Sequence, residues 1–361
     1  MTNPTEAEIG AYIADAGAKA WDVPGLAADI AHRPVRSVGI IGAGTMGGGI
    51  AMNFATAGIP VKIVDTSQEG LDRGLKVVRG NYQRSSDKGR FPQDEVEARM
   101  SRFSGTLSIA DLADCDLIIE AVFEDVGVKA EMTKKVEAIV GEDCIFASNT
   151  STLPITELAK ASKRDDQFIG IHFFSPVERM MLVEIIKGKE TGGRAVAKAL
   201  DYVRQIRKTP IVVNDARFFY CNRCIIPYIN EGMRMVGEGV SPALVEGAAK
   251  LLGFPVGPLQ LVDETSIDLG VKIAKATKAA MGDAYPDSAV DDIIFWMADE
   301  GRLGRKAGAG FYDYDAKGKR TGLWAGLADK FPHADDQPDL TEVKHRLMMS
   351  QVLEAVRALE E

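Results

Sequence analysis

The feature that most restricts the fold of this chain is the segment GIIGAGTMGGG, residues 39–49. A short apolar run leads into spaced glycines, and helix-favouring residues follow them. Gly42 permits a tight turn, Gly44 lets the phosphates of a ligand approach the backbone, and Gly47 lets a helix pack closely on a strand. This order of strand, glycines and helix predicts a unit that holds a dinucleotide at the N-terminus of the helix.

The next strand-like run ends in an acidic residue. Residues 59–65, IPVKIVD, are mostly apolar and end at Asp65. A carboxylate at this position accepts hydrogen bonds from the hydroxyls of a ribose, whereas it repels a 2′-phosphate. Thr66 and Ser67 supply no positive charge beside it. The sequence therefore predicts NAD as the cofactor and disfavours NADP.

Further strand-like runs alternate with helix-favouring segments as far as residue 218. These runs lie at 116–122, 144–148, 168–174, 181–186 and 209–214. The alternation predicts an α/β fold with a Rossmann-type, doubly wound and mostly parallel sheet. The short link through Ser175 and Pro176 favours an antiparallel return of the last strands.

From about residue 219 the strand pattern stops, and amphipathic segments bounded by Gly, Pro or Ser follow one another. They predict a second, all-helical C-terminal domain. We therefore divide the chain into four segments. These are a helical lead-in and linker at 1–34, an NAD-binding domain at 35–218, the helical domain at 219–320, and a linker with one further helix at 321–361.

The last helix belongs to an internal repeat. Residues 223–236, RCIIPYINEGMRMV, match residues 346–359, RLMMSQVLEAVRAL. Three charged residues recur 123 positions later: Arg223, Glu231 and Arg234 correspond to Arg346, Glu354 and Arg357. The second copy stops after one helix, which suggests either a capping helix or a chain cut from a longer protein. It lacks a counterpart of Asn222, because His345 stands at that position.

The composition disfavours several classes of function. The net charge is −9 and no cluster of Lys and Arg stands out, so we expect no nucleic-acid partner. No window approaches the roughly 18 apolar residues that a membrane span needs, and the first residues lack the pattern of a signal peptide. The cysteines are too scattered for a disulfide framework, and we expect the CxxC pair at 221–224 to be packing. These features predict a cytoplasmic protein without a metal site.

Two ionisable residues stand in consecutive strand-like runs. His172 lies in GIHFF, and Glu184 lies in MLVEII. Burying such groups costs free energy unless they pair or take part in chemistry. A carboxylate beside an imidazole fixes its tautomer and makes the other nitrogen a better base. The two residues are therefore candidates to take the proton from a substrate hydroxyl while its carbon transfers hydride to NAD.

Six motifs together carry a resemblance to a known family. In chain order they are GAGTMGGGIA, IIEAVFED, SNTSTLPITELA, HFFSPVERMMLVEII, KTPIVVND and NRCIIPYINEG. Over residues 35–320 the chain resembles 3-hydroxyacyl-CoA dehydrogenases, and in particular the dehydrogenase part of the multifunctional α-subunit of fatty acid β-oxidation. The resemblance implies NAD-dependent oxidation of (S)-3-hydroxyacyl-CoA to 3-ketoacyl-CoA. It also implies a homo-oligomer or a place in a multifunctional β-oxidation complex.

The same resemblance implies roles for individual residues. His172 corresponds to the family's general base, and Glu184 corresponds to the carboxylate that orients it. Ser151 matches the serine that contacts both substrate and nicotinamide, and Asn222 matches the asparagine that holds the substrate oxygen. The residues implied in cofactor binding are Gly42, Gly44, Met46, Gly47, Asp65, Val122, Glu124, Lys129, Asn149, Ser151, Ser175 and Lys306.

The residues themselves leave alternatives open. Taken alone, Ser151 and Asn222 could cap helix N-termini, and Glu124 and Lys129 could lie on a solvated helix face. One rival function is a dehydrogenase of simple 3-hydroxy acids. Such enzymes typically use a lysine base, so the pairing of histidine with glutamate argues against it. The other rival is an NAD-binding module, with weak activity or none, inside a larger complex.

Two departures from the family pattern carry expectations of their own. Ser175 stands where many relatives have asparagine, which predicts a shorter or water-bridged cofactor contact. Arg217 and Phe218 stand where the family usually has Pro-Gly, shortly before a phenylalanine and the Asn222-Arg223 pair. This segment joins the two predicted domains. Because glycine is the residue that readily adopts positive φ, we expect the segment to lose that conformation. Altered hinge geometry and lower activity would follow.

Overall fold

The computed structural model describes residues 4–26, 34–285 and 289–361, and it divides into two compact units, Met1–Phe219 and Tyr220–Glu361. Among these residues, none of the helices has the length and apolarity that a membrane crossing requires. The predicted end of the helical lead-in, at 27–33, lies outside the described residues. The division of the chain into four segments stays a prediction.

The first unit contains one large sheet. Its strands are β1 (Val38–Ile41), β2 (Val61–Val64), β3 (Phe103–Thr106), β4 (Leu117–Glu120), β5 (Ile145–Ser148), β6 (Phe168–Phe173), β7 (Leu182–Lys187) and β8 (Thr209–Asn214). They lie in the order β3-β2-β1-β4-β5-β6-β7-β8. Neighbouring strands are parallel except β6 and β7, which are antiparallel. The predicted Rossmann-type sheet is therefore confirmed, together with the antiparallel return after β6.

Helices accompany the strands of this sheet. They are α1 (Glu6–Lys19), α2 (Thr45–Thr56), α3 (Gln68–Asp87), α4 (Gln93–Met100), α5 (Val126–Glu137), α6 (Ile155–Ala159) and α7 (Gly193–Gln205). Successive residues of a strand belong to hydrophobic cores on opposite faces of the sheet. In β1, Ile40 belongs to the core that includes Phe54 of α2, whereas Ile41 belongs to the core that includes Val136 of α5. Burial on both faces explains why the central strands are continuous apolar runs in the sequence.

The strand order also determines where a ligand can bind. It reverses between β1 and β4, since the chain moves outward from β1 to β3 and then returns to the other side of β1. In doubly wound sheets this reversal opens a crevice beyond the carboxyl ends of the strands. The glycine turn after β1 and the segment that follows β4 both lie at this edge.

The second unit is mainly helical. Its helices are α8 (Cys221–Gly237), α9 (Pro242–Leu251), α10 (Pro258–Thr265), α11 (Ile267–Met281), α12 (Ala289–Asp299), α13 (Leu327–Lys330) and α14 (Leu340–Glu360). An antiparallel hairpin of β9 (Tyr312–Tyr314) and β10 (Arg320–Leu323), which the sequence did not predict, adds to them. The predicted helical C-terminal domain is confirmed. The last helix, α14, packs against α8 and α9 within this unit.

The turn that precedes α8 corrects one expectation. Phe218 has a φ of 68° and Phe219 a φ of 54°. Both residues therefore adopt the positive φ that was expected to be lost with glycine, and that prediction is wrong. A left-handed backbone costs a bulky residue about 1–2 kcal/mol. The side chain of Phe219 offsets this cost because it is buried in the core that contains Phe146 and Phe168.

Candidate active site

The glycine turn lines a cleft of about 1070 Å³. Gly42 has a φ of 101°, and a Cβ there would lie 2.7 Å from the carbonyl oxygen of Ala121. A Cβ at Gly47 would lie 1.8 Å from the carbonyl oxygen of Gly42. Gly44, which precedes α2, has open space where a side chain would stand. The turn thus exposes the backbone at the N-terminus of α2 to a ligand, as a phosphate requires.

Asp65 lies at the edge of this cleft. Its Oδ2 accepts a hydrogen bond from the backbone nitrogen of Ala43 at 2.9 Å, and its Oδ1 accepts one from that of Thr66 at 2.7 Å. These bonds hold the carboxylate beside the glycine turn, within the lining of the cleft. Arg73 of α3 also lines the cleft, and its guanidinium lies 3.4 Å from the carboxylate of Glu69.

The cleft brings together about half of the predicted cofactor residues. Those that line it are Gly42, Gly44, Met46, Asp65, Val122 and Ser175. Sequence reasoning missed an apolar group in the same lining, which consists of Leu107, Ile109, Val128 and Met132. These residues follow β3 or belong to the first turns of α5, so the rule that ligands bind beyond strand ends could have found them. Apolar surface near Asp65 suits an adenine ring.

His172 and Glu184 meet inside the sheet. They stand directly opposite each other on the antiparallel strands β6 and β7. The His172 Nδ1 lies 2.9 Å from Oε2 of Glu184, and the two side chains are 6% and 0% exposed. The ring of Phe174 lies 4.4 Å from the imidazole, and that of Phe219 lies 6.0 Å from it, centroid to centroid. The predicted contact is therefore present, and two aromatic rings pack beside the imidazole.

The loop after β5 lies close to this pair. Asn149 accepts a hydrogen bond from the backbone nitrogen of Phe173 at 2.9 Å, which ties the loop to the strand that carries the imidazole. Glu124 Oε1 accepts hydrogen bonds from the Thr150 hydroxyl at 2.6 Å and from the Ser151 backbone nitrogen at 3.0 Å. Ser151 is thus fixed at the carboxyl edge of the sheet.

Known proteins share this architecture. The family model described as 3-hydroxyacyl-CoA dehydrogenase, NAD binding domain, matches residues 37–216, and the model of the C-terminal domain matches residues 219–314. FadB2 of M. tuberculosis is 31% identical, with a TM-score of 0.74, over 78% of this chain and 100% of that chain. (S)-3-Hydroxybutyryl-CoA dehydrogenase PaaH1 of Ralstonia eutropha is 38% identical, with a TM-score of 0.71, over 78% and 99% of the two chains.

This chain belongs to the 3-hydroxyacyl-CoA dehydrogenase family. It is therefore an NAD-dependent oxidoreductase that acts on hydroxyacyl-CoA, and NAD is its cofactor. The dehydrogenase part of multifunctional enzyme 1 from C. elegans is 28% identical, with a TM-score of 0.71, over 98% of this chain and 82% of that chain.

In the dehydrogenase, Lys129 is buried and does not lie on a solvated helix face. Its Nζ donates to Oε1 and Oε2 of Glu120 at 2.9 and 3.0 Å and lies 3.3 Å from Oε2 of Glu124. The Ser148 hydroxyl donates to Glu120 as well. Sequence reasoning missed Glu120, although a charged residue at the last position of an apolar strand could have drawn attention to it.

The two carboxylates beside Lys129 differ in their pKa values. Burial raises the pKa of Glu120, and the charge of Lys129 opposes this rise without cancelling it. Burial also raises the pKa of Glu124, but the charge of Lys129 and the hydrogen bonds from Thr150 and Ser151 outweigh that effect. The pKa of Glu124 therefore lies below its usual value. The dehydrogenase thus keeps a negative charge beside the Ser151 loop at neutral pH.

Asn222 and Lys306 belong to the second unit of the dehydrogenase. Asn222 lies in the first turn of α8, whose N-cap is Tyr220, and Lys306 lies in a short 3₁₀ turn. Ser151 is not an N-cap either, because the N-cap of the next helix is Pro154. Both alternative roles as helix caps are therefore wrong.

Proposed function

We propose that this dehydrogenase oxidises (S)-3-hydroxyacyl-CoA to 3-ketoacyl-CoA in fatty acid β-oxidation, with His172 as general base and Glu184 as its orienting carboxylate. The observation that supports this most is the buried 2.9 Å contact between His172 Nδ1 and Glu184 Oε2. A carboxylate accepts hydrogen bonds and does not donate them, so the ring carries its proton on Nδ1. The lone pair on Nε2 is then the base for the 3-hydroxyl proton of the substrate.

The pair contributes to the reaction by holding the transferred proton. NAD, when bound in the cleft, supplies the acceptor for the hydride that leaves C3 of the substrate. As Nε2 of His172 takes up the hydroxyl proton, the ring becomes positive, and the carboxylate of Glu184 stabilises that charge. The rings of Phe174 and Phe219 keep water away from the imidazole, which strengthens this attraction.

Ser151 and Asn222 supply hydrogen-bond donors for the substrate in this proposal. Neutral donors stabilise negative charge on an oxygen without competing for its proton. Glu124 holds the backbone of Ser151 at 3.0 Å, so the serine is oriented before substrate binds. We assign contacts with NAD to Gly42, Gly44, Met46, Gly47, Asp65, Val122, Glu124, Ser151, Ser175 and Lys306. We assign Lys129 and Asn149 to the same cofactor site, where the ion pair of Lys129 holds Glu124 and the hydrogen bond of Asn149 to the backbone of Phe173 holds the Ser151 loop.

The roles of the two domains, the cellular location and the assembly of the dehydrogenase are also proposals. Residues 35–218 bind NAD, and residues 219–320 contribute Asn222 and Lys306. We expect the dehydrogenase to work in the cytoplasm, as a homo-oligomer or within a multifunctional β-oxidation complex, because the resemblance and the composition favour this. Fractionation of cells that express the tagged chain tests the location.

The decisive experiment is NADH oxidation by the purified chain with acetoacetyl-CoA and with a longer 3-ketoacyl-CoA. We expect turnover of about 1 to 10³ s⁻¹, the usual range for enzymes. Free acetoacetate serves as the control, because an enzyme for simple 3-hydroxy acids would reduce it equally well. Bound NADH without turnover on either thioester would contradict the proposal and favour the binding-module alternative.

A further inference from the structure

A buried lysine holds the loop between β6 and β7, residues 174–181, against the sheet. Lys208 directly precedes β8 and is 5% exposed. Its Nζ donates hydrogen bonds to the backbone carbonyl oxygens of Val177 at 2.8 Å and Met180 at 2.5 Å. Both acceptors belong to the β6–β7 loop, so one ammonium group ties this loop to the start of β8.

The chemistry of the contact makes it strong. Burial lowers the pKa of Lys208, and the nearby charge of Glu178 opposes that effect. Hydrogen bonds from a charged donor are stronger than those between neutral groups. Loss of the ammonium group would take such a donor from both carbonyls at once, and a buried polar group that loses its partner costs free energy. The position of the loop therefore depends on this side chain.

The same loop packs against α2, the helix that begins at the glycine turn. A Cβ at Gly49 would lie 2.8 Å from the Cβ of Val177, so the helix and the loop approach closely. The Val177 side chain is 2% exposed, and the Nδ2 of Asn53 on α2 lies 3.5 Å from the Val177 carbonyl oxygen. The Val177 carbonyl therefore faces a donor from α2 as well as Lys208.

The β6–β7 loop and α2 both contribute to the cleft that binds NAD. Residues 175–178 of the loop line this cleft, and so do Met46 and Gly49 of α2. Among the described residues that line the cleft, Lys208 is absent. Any effect of this lysine on the cofactor must therefore pass through the loop that it holds.

We propose that Lys208 is a positioning residue for NAD, which holds the β6–β7 loop against α2 and so keeps the cleft in the shape that binds the cofactor. When the binding-competent form is populated only in part, the apparent affinity falls by that fraction. Without the ammonium group the loop leaves its position for part of the time, and NADH binds more weakly. The inference rests on the proposed contact of Ser175 with NAD, but it is independent of the acyl substrate and of the reaction.

NADH binding by Lys208→Met, in the full chain, tests the proposal. Methionine keeps the apolar stem of the side chain and removes its ammonium group. We expect the dissociation constant, measured by fluorescence titration, to rise about tenfold, as for a loop that is in place about a tenth of the time. With acetoacetyl-CoA and saturating NADH, kcat should stay near the wild-type value, because bound cofactor selects the competent position. A titration needs no turnover, so failure of the proposed reaction would leave this test intact.

Lys198→Met is the matched control. Lys198 of α7 is also 5% exposed, and its Nζ donates to the backbone carbonyl oxygen of Asp143 at 2.5 Å. Asp143 precedes β5 and therefore lies at the edge of the sheet opposite the glycine turn. We expect this variant to lose stability in urea denaturation and to bind NADH as the wild type does. An equal rise of the dissociation constant in both variants would indicate a general loss of stability and overturn the proposal.

Gly49→Ala tests the same contact from the side of α2. Its methyl group would press on Val177, so we expect the dissociation constant for NADH to rise. In the double variant with Lys208→Met, the rise should be smaller than the product of the two separate rises, because both changes displace one loop. A rise equal to the full product would show that the two residues act independently, which contradicts the proposal.

Two further outcomes would overturn the proposal. One is wild-type affinity for NADH in a folded Lys208→Met variant. The other is a fall in kcat with an unchanged dissociation constant, since the lysine would then act on the chemical step. Circular dichroism checks that each variant is folded. If Lys208→Met is not, Lys208→Gln replaces it, because its neutral amide can still donate to one carbonyl. NADH should bind more weakly to that variant too, and wild-type affinity would count equally against the proposal.

Discussion

Two buried acid–base groups of the first unit differ in how fully their polar atoms are hydrogen-bonded. The first group is His172 with Glu184, and the second group is Lys129 with Glu120 and Glu124. Among the residues that the structure describes, the imidazole of His172 hydrogen-bonds through Nδ1 to Glu184. Lys129, in contrast, gives its ammonium group to both oxygens of Glu120 and also approaches Glu124. A charged group whose donors are all hydrogen-bonded within the protein stabilises the structure. An imidazole held through Nδ1 alone can use its Nε2 to take up or release a proton. Substitutions should therefore lower activity at the first group and stability at the second.

His172→Ala should give the largest effect, and the effect should be on activity. We expect turnover to fall by a factor of about 10² to 10⁴, the usual contribution of a general base. NADH affinity, measured by fluorescence titration, should stay at the wild-type value because the cleft is intact. The control His333→Ala changes an exposed histidine and should leave turnover unchanged. Wild-type turnover in His172→Ala would remove the assignment of the base.

Lys129→Met should have its main effect on stability, not on activity. It leaves Glu120 buried without a cation, and breaking a buried pair in this way costs about 3–5 kcal/mol. We expect urea denaturation to report a loss of that size in the free energy of unfolding. The double variant with Glu120→Gln should recover part of the loss, because the unpaired charge is gone. Lys134→Met, at an exposed position of the same helix, is the control and should change little. Undiminished stability in Lys129→Met would contradict the comparison.

Glu184→Gln tests the first group more narrowly, because it removes the charge of the carboxylate and keeps the shape of the side chain. A hydrogen bond to a charged group contributes about 1.5–3 kcal/mol, so we expect turnover to fall roughly ten- to a hundredfold. Steady-state kinetics with NADH and acetoacetyl-CoA measures this change. Wild-type turnover in Glu184→Gln would show that the glutamate does not act through the ring.

Much of the first group could be predicted from the sequence. Strand residues alternate between faces, and the short link at Ser175 and Pro176 forces β7 back along β6, so His172 and Glu184 come into reach of each other. The glycine turn is equally local, because its requirements for φ and close packing concern Gly42 and Gly47 themselves. Patterns that depend on neighbouring residues and a single turn therefore transfer from sequence to structure.

The second group could not be predicted in the same way. Glu120 closes an apolar strand, and its partner Lys129 follows on a helix, so their contact depends on how α5 leaves the end of β4. The left-handed backbone at Phe218 and Phe219 also escaped prediction. There the burial of the second ring in a distant core outweighs the local preference against positive φ. Features that depend on tertiary packing are absent from local sequence patterns.

The smallest expected effect distinguishes the two carboxylates of the second group. The pKa of Glu124 lies below its usual value of 4.5, so its ionised form stabilises the fold above that pH, and this contribution is lost as pH falls through the folded pKa. The pKa of Glu120 is raised, so its contribution is present below pH 4.5 and declines as pH rises.

We compare Glu124→Gln and Glu120→Gln with the wild type by urea denaturation between about pH 3 and 7. The stability difference from the wild type should shrink on acidification for Glu124→Gln. Because the Glu124 side chain is 37% exposed, we expect a change below about 1 kcal/mol. For Glu120→Gln the difference should move the opposite way, and parallel trends in the two variants would contradict this account of the site.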